Sequence, residues 1–357
     1  MKTTATRVFT IVSCNYLAEA RVLMRSVAEN WPDAKRTVFV TDSPEGKFDP
    51  QKEEFEVVEA RLTALPRYRH LAFAFSASEF CYLAKPYCAQ YLFNRGDADA
   101  MVYLDADMLL LQRPARLEEM LAQHTIVLTP HRIFPDPNET LHISQMKGGT
   151  FNAGFFAVSR QTEARDFLAW WGNQIREPAN IRMDWHNDQS WLNLVPGYFP
   201  STGILRHPGY NVAFWNIRER KLEKKTGEPW TCRGESLVLF HFSLFDPNRP
   251  EDLTGNLDYA GIGPNPALEE LLRLYAEKLE RAGRGDCHQW GYDHGKFTDG
   301  KVIKPGHRKY FQKRFFYDVP EDTNPFDPAM EPRGLKSLYH FDHPAVQIVR
   351  KLKGTEG

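Results

Sequence analysis

The chain has 357 residues, 42% hydrophobic and 25% charged, with a formal net charge of −1. That length suggests one large domain with an appendage, or two domains, and the near-neutral balance gives no support to nucleic-acid binding, which shows a basic excess. Five cysteines without a CxxC pair (Cys14, Cys81, Cys88, Cys232, Cys287) argue against a disulfide framework or a zinc site. No run of about 18 apolar residues is present to span a membrane, and the start of the sequence lacks the apolar stretch of a signal peptide. A cytoplasmic protein with reduced thiols is expected.

Arg7–Ser13 reads as a first buried strand and Leu17–Glu29 as an amphipathic helix. Lys35–Thr41 and Phe55–Glu59 read as further strands. Ser76–Phe93 carries Phe80, Leu83, Tyr87 and Tyr91 at helical spacing, with Pro86 expected to kink or restart the helix. Met101–Leu104 is a strand, Leu117–Gln123 a short helix and Thr125–Thr129 another strand. Phe151–Ser159 follows Gly148-Gly149 as a strand entered through a tight turn, and Glu163–Gln174 is helical. Asp188–Leu194 reads as a short helix with an acidic first residue, and Leu237–Phe242 as a last buried strand. Alternating strands and helices predict an α/β fold with a mixed, mostly parallel sheet flanked by helices. Beyond about residue 250 Pro, Gly and Asn accumulate around one helix, Leu268–Arg281. The expected division is a domain over 1–250 and a helical, loop-rich C-terminal extension over 251–357.

The most informative stretch is Val102-Tyr-Leu-Asp105-Ala-Asp107, an apolar strand running into two carboxylates one residue apart. In extended backbone the two side chains point the same way. Like charges held together are unfavourable unless a cation sits between them, and oxygen ligands suit Mg²⁺ or Mn²⁺. A solvated turn is the alternative. His241, between aromatics in Leu239-Phe240-His241-Phe242, is either a hydrogen-bonded core residue or a third ligand. No GxGxxG follows the first strand, which leaves a dinucleotide-type site little support.

Asp105-Ala-Asp107, Phe151-Asn152-Ala153-Gly154, Asp188-Gln189 and His241 occur in an order that resembles nucleotide-sugar glycosyltransferases of GT-A fold, above all the retaining, family 8-like group. The resemblance covers roughly residues 7–245. It implies a GT-A type, Rossmann-like sheet, Asp105, Asp107 and His241 as ligands of Mn²⁺ (or Mg²⁺), and a nucleotide-diphosphate sugar as donor. By the same resemblance Asn152 and Gly154 would face the donor sugar, and Asp188 and Gln189 would lie on its reacting side. Without it, Asn152 is a strand-entry residue and Asp188 a helix cap. Lys85 would approach the diphosphate or sugar, or else is a surface lysine. Tyr16 would stack on the nucleobase, or packs.

Family 8 proteins commonly continue from the histidine as HxxGxxKPW. This chain instead has His241-Phe-Ser-Leu-Phe-Asp-Pro-Asn-Arg249, where Arg249 is the substitute cation for the phosphates. The HFS form, with Tyr210–Asn216 and Tyr292–Ile303, looks like a bacterial group associated with surface polysaccharide synthesis. Retention is the favoured outcome; inversion would need a carboxylate base, Asp188 or Asp184. Pro196–Arg220, rich in aromatics and Asn, is an acceptor wall in which Trp215 and Asn216 touch the sugar, or a packed connection. The acceptor is expected to be a glycan or a lipid-linked glycan, and the latter would bring peripheral contact at the inner face of the membrane. Two rival readings are a non-catalytic protein that binds nucleotide sugar or carbohydrate and a phosphohydrolase with Asp105 as nucleophile.

Overall fold

In the computed structural model, which describes residues 5–135, 139–177, 180–181, 187–250, 264–314, 316 and 318–331, the apolar runs assemble into one central sheet. Strands β1 (Thr6–Val12), β2 (Lys35–Val40), β3 (Glu56–Glu59) and β4 (Ala100–Leu104) are parallel neighbours in the order β3-β2-β1-β4. Past β4 come β7 (Phe151–Ser159), β6 (Ile126–Pro130) and β8 (Thr202–Ile204). Only β7 runs against the others among the described strands of this sheet. The expected mixed, mostly parallel α/β sheet is what forms. Every residue of β1, β4 and β7 is buried, as strands covered on both faces require.

Helix α1 (Leu17–Asn30) buries Leu17, Val22, Leu23 and Val27. Helix α2 (Tyr68–Ala74) precedes the longer α3 (Ala77–Arg95), which packs along α6 (Thr162–Arg176). The two approach closely at Gly172, where a Cβ would lie 3.1 Å from the Tyr87 ring, and Tyr87 Oη donates to Gly172 O at 3.0 Å. The restart expected at Pro86 does not occur. Ala84, Lys85, Tyr87 and Cys88 on either side of it are buried, and α3 continues through the proline as one helix. Between β4 and β7 lie strand β5 (Met108–Leu110), helix α4 (Ala115–Leu121), β6 and helix α5 (Glu139–Gly148).

Strands β9 (Leu222–Glu223), β10 (Thr231–Cys232) and β11 (Glu235–Ser236) form a small antiparallel sheet. The predicted last strand is realised as β12 (Leu239–His241), which pairs antiparallel with β5 and not with the central sheet. Helix Pro266–Arg281 is capped by Asn265, whose Oδ1 accepts from Leu268 N at 3.0 Å. Its Tyr275 ring stacks on Phe242 at 3.7 Å between centroids.

By compactness the chain divides into two units, one from Met1–Pro66 and Ala77–Asp293, the other from Arg67–Ser76 and His294–Gly357. Helix Pro266–Arg281, assigned by composition to an extension beginning after 250, therefore belongs to the unit that contains the sheet. In the second unit helix α2 ends on Arg308, whose Nη1 donates to the carbonyls of Ala72 (3.0 Å), Phe73 (2.6 Å) and Phe75 (2.6 Å). A cation there satisfies helix-end carbonyls and complements the helix dipole. Phe73 packs edge-on against Phe311 at 4.9 Å and Phe326 at 5.3 Å.

Candidate functional site

β4 stops at Leu104 and the chain turns at once, Met108 N donating to Asp105 O at 3.1 Å before β5 begins. Asp105 and Asp107 therefore stand in a turn and not in extended backbone. Their carboxylates converge because of that turn and of the strand opposite it. Pairing of β12 with β5 sets His241 against Met108, and Phe242 N donates to Asp107 O at 2.8 Å. His241 Nε2 then lies 3.1 Å from Asp107 Oδ1 and 3.9 Å from Asp105 Oδ2. One ligand atom from each of the three residues lies within 4.8 Å of the others.

Two further groups hold Asp105. Tyr103, buried in a stack with Phe156 (5.2 Å between centroids), donates from Oη to Asp105 Oδ1 at 2.6 Å. Lys85 Nζ, on the buried face of α3, lies 3.5 Å from Asp105 Oδ1 and 2.6 Å from Asp188 Oδ2, and donates to Ala153 O at 3.0 Å. Burial pushes the Asp105 carboxyl up, but Lys85, His241 and the Tyr103 hydroxyl outweigh it and hold the group below its ordinary range. Burial likewise opposes charge on Lys85, and the neighbouring Asp105 and Asp188 more than reverse this, raising its pKa. His241, disfavoured as a cation by burial, is raised by Asp107 and Asp105.

The other wall of the site is β7. Asp105 N donates to Gly154 O at 2.8 Å, and a Cβ on Gly154 would meet Asp105 Oδ2 at 2.5 Å, Asn152 Oδ1 at 2.7 Å and His241 Cε1 at 2.9 Å. Only glycine fits there. Asn152 Nδ2 donates to Gln189 Oε1 at 3.2 Å, and Gln189 Nε2 to Gly148 O at 2.6 Å. The helical turn after Gln189 begins at Ser190, so Asp188 does not cap it; its carboxylate is taken by Lys85, and its carbonyl accepts from Trp171 Nε1 at 2.9 Å. Trp215 packs edge-on against His241 at 5.1 Å. These residues enclose a cleft of about 460 Å³, which Lys85, Asp105, Asp107, Asn152, Gly154, Asp188, Gln189, Trp215 and His241 all line.

The donor set suits a hard divalent cation. Two carboxylates and an imidazole offer oxygen and nitrogen donors, and His241 Nε2 lies 3.1 Å and 3.9 Å from the Asp107 and Asp105 carboxylates, within reach of a common cation. Charge points the same way. On the cleft floor Asp105, Asp107 and Asp188 stand against Lys85, with Lys147 the only other lysine lining the cleft among the described residues, an acidic excess that favours a cation. His241 Nδ1 faces Asn211 Oδ1 at 3.3 Å, which leaves Nε2 directed at the carboxylates.

Four expectations fare differently. Asn216 is fully buried, with its side chain bonded to backbone at Ala213, His131 and Asn211, and does not reach the cleft. Arg249 is largely exposed, pairs with Asp246 at 3.8 Å and does not line the cleft. Tyr16 also lies outside the cleft lining, 48% exposed and beside the His288 ring at 5.2 Å. Asp184 lies outside the described residues. Sequence reasoning missed Tyr103, His131 and Lys147. Tyr103 was detectable as a hydroxyl-bearing side chain two residues before Asp105 in the same apolar run. Lys147, an exposed residue at the end of α5, lines the cleft just before the Gly148-Gly149 turn. No local pattern marks His131.

No protein-family profile matches the chain. It is similar to two uncharacterized Bacillus subtilis (strain 168) proteins, YfnD (27% identical over 173 residues, 47% of this chain and 54% of that protein) and YfnF (25% over 174 residues, 46% and 56%). The chain thus matches about half the length of these relatives. Among solved structures it overlaps the galactosyltransferase LgtC in complex with donor and acceptor sugar analogues, at 14% identity and a TM-score of 0.46, over 77% of this chain and 95% of that one. It also overlaps the glycosyltransferase GlyE of Streptococcus pneumoniae TIGR4, at 14% identity and a TM-score of 0.43, over 83% and 67%. Likeness at this level transfers no residue role, and the chemistry of the cleft rests on its own geometry.

Proposed function

We propose that the chain is a glycosyltransferase that moves a sugar from a nucleotide-diphosphate sugar to a hydroxyl acceptor, with Mn²⁺ or Mg²⁺ held by Asp105, Asp107 and His241. The observation that carries this reading is the convergence of two carboxylates and one imidazole at the floor of a cleft walled by amides and one indole. A cation bound there would act as a Lewis acid toward the departing diphosphate. Lys85 bridges Asp105 and Asp188 and keeps a positive charge under the cleft floor. Asn152 and Gln189 present amide groups suited to sugar hydroxyls, and Gly154 keeps the space beside Asp105 open. Lys147 at the rim is a second cation for the phosphates. Tyr16 remains a surface for the nucleobase, half exposed and backed by His288.

Retention is the outcome we favour, on the surroundings of Asp188 among the two candidate bases. An inverting reaction needs a free carboxylate base, whereas Asp188 is buried and committed to Lys85 at 2.6 Å. The proposed acceptor is a glycan or lipid-linked glycan whose pyranose face lies on Trp215. A lipid-linked acceptor would be met by peripheral contact; no helix among the described residues is long and apolar enough to cross a membrane.

The test is a thermal-shift panel of nucleotides and nucleotide sugars with and without Mn²⁺, followed by a transfer assay with the donor that stabilises most. A donor whose stabilisation requires Mn²⁺ and vanishes in Asp105→Asn is expected. Release of phosphate from simple phosphomonoesters, with no response to any nucleotide sugar, would refute the transferase reading.

A further inference from the structure

Tyr82 lines the cleft one helical turn before Lys85 on α3, a spacing that sets the two side chains together. The Lys85 ammonium lies over its ring, 4.9 Å from the centroid, and the Tyr103 ring is 4.8 Å away. Aromatic faces attract a cation held in this way. Lys85 Nζ also faces Asp188 Oδ2 at 2.6 Å, Ala153 O at 3.0 Å and Asp105 Oδ1 at 3.5 Å. The protons of an ammonium are thus met by protein oxygens, and none is left to offer a ligand. Lys85 borders the cleft but is 1% exposed, whereas Tyr82 is 40% exposed. On this wall a ligand meets the tyrosine and not the lysine.

Beside the covered ammonium the lining carries Asp105 and Asp188, both side chains more exposed than that of Lys85. The amides of Asn152, Asn187 and Gln189 complete this part of the cleft. Sugar hydroxyls suit such a lining, because they donate to carboxylates and both donate to and accept from amides. A pyranose can also lay its apolar face on an exposed ring. A ligand carboxylate gains nothing from Lys85 and meets the two aspartates as like charges. Lys147, beside Gly148 at the end of α5, is the cation the phosphates would take.

We propose that Tyr82 is a specificity-determining residue: by covering Lys85 it presents the donor sugar with an aromatic face, carboxylates and amides, so that the site selects a neutral pyranose over one bearing a carboxylate. This deepens the transferase reading and rests on it, since the sugar in question is the one the nucleotide carries. Selection here comes from hiding a cation as much as from contact. An accessible ammonium at the same place would do the reverse and pair with an acidic sugar.

The test is calorimetric titration of the full chain, with saturating Mn²⁺, against UDP and two matched pairs: UDP-glucose with UDP-glucuronate, and UDP-galactose with UDP-galacturonate. Within each pair only the C6 group differs, a hydroxymethyl or a carboxylate. The wild type should bind at least one neutral member about tenfold more tightly than its acid. Tyr82→Ala opens Lys85 to the cleft and should cut that ratio by about threefold or more, the acid gaining in affinity relative to UDP. Tyr82→Phe, which keeps the ring, should keep the ratio. A general loss of stability or of nucleotide binding cancels in the ratio, so a merely structural tyrosine would leave it unmoved. Should Tyr82→Ala fail to fold, Tyr82→Thr, which lacks the ring but keeps a branched stem, takes its place. Equal affinities within both pairs, a preference for the acids, or a ringless variant with the wild-type ratio would overturn the proposal, while Mn²⁺-dependent binding of UDP left the transferase reading standing. A wild type that binds none of the five compounds would overturn the proposal too, and the wider nucleotide panel would then decide the transferase reading by itself.

Discussion

Lys85 Nζ lies 2.6 Å from Asp188 Oδ2, and the pair is buried, although the two residues are 103 positions apart in the chain. The same ammonium reaches Asp105 at 3.5 Å, so one cation ties α3 to both acidic segments of the cleft. Removing one partner of a buried ionic group leaves the others uncompensated, at about 3–5 kcal/mol. Lys85→Met should therefore destabilise the metal-free protein by about that amount in chemical denaturation. A loss below about 1 kcal/mol would place this lysine among weakly coupled surface charges.

Gly154→Ala should remove metal binding at a modest cost in stability. The added methyl would press on Asp105 Oδ2, Asn152 Oδ1 and His241 Cε1, all within 3.0 Å, and all three belong to the site. Mn²⁺ titration together with the melting temperature checks this; unimpaired Mn²⁺ binding would show that the cleft floor can yield.

Saturating Mn²⁺ should raise the melting temperature of the wild type, corresponding to about 2.7 kcal/mol at a hundredfold excess over Kd. Asp107→Asn should abolish the shift, and chelation should stop sugar transfer reversibly. Turnover that survives exhaustive chelation would remove the cation from the mechanism.

His131 links the fold to pH. Burial lowers its pKa from 6.5 to about 4. Between those values the unfolded chain takes up a proton that the folded chain refuses, so stability is complete above pH 6.5 and declines as pH falls toward 4. The loss is at most about 3 kcal/mol. His131→Phe should flatten the profile over that window in urea melts at stepped pH, and an unchanged slope would assign the titration to other groups.

Trp215→Ala should raise acceptor KM about tenfold, or about 1.4 kcal/mol, with donor KM and the melting temperature little altered. The indole lines the cleft and packs edge-on against His241 at 5.1 Å and His131 at 5.4 Å. A lower melting temperature with acceptor KM unchanged would make it a packing residue.

Much of this protein was legible from local pattern. β4 announces itself as a continuous apolar run, and β1 and β7 as mostly apolar ones broken by Arg7 and Thr10 and by Asn152, because strands covered on both faces tolerate little polarity. The Asp pair, the Asn-Ala-Gly step and a histidine inside an apolar strand could all be named as candidates on the same ground.

What tertiary structure decided is which of these side chains meet. The β4–β5 turn, not strand alternation, aims Asp105 and Asp107, and the β5–β12 pairing brings His241 to them. Lys85 became a buried ion-pair centre when α3 was covered, Asn216 turned inward to hold a loop, and Arg249 stayed outside the cleft. Periodicity records how a residue sits relative to its near neighbours. The partners of a charge or an amide are chosen by segments a hundred residues away, through strand pairing and burial that leave no local mark.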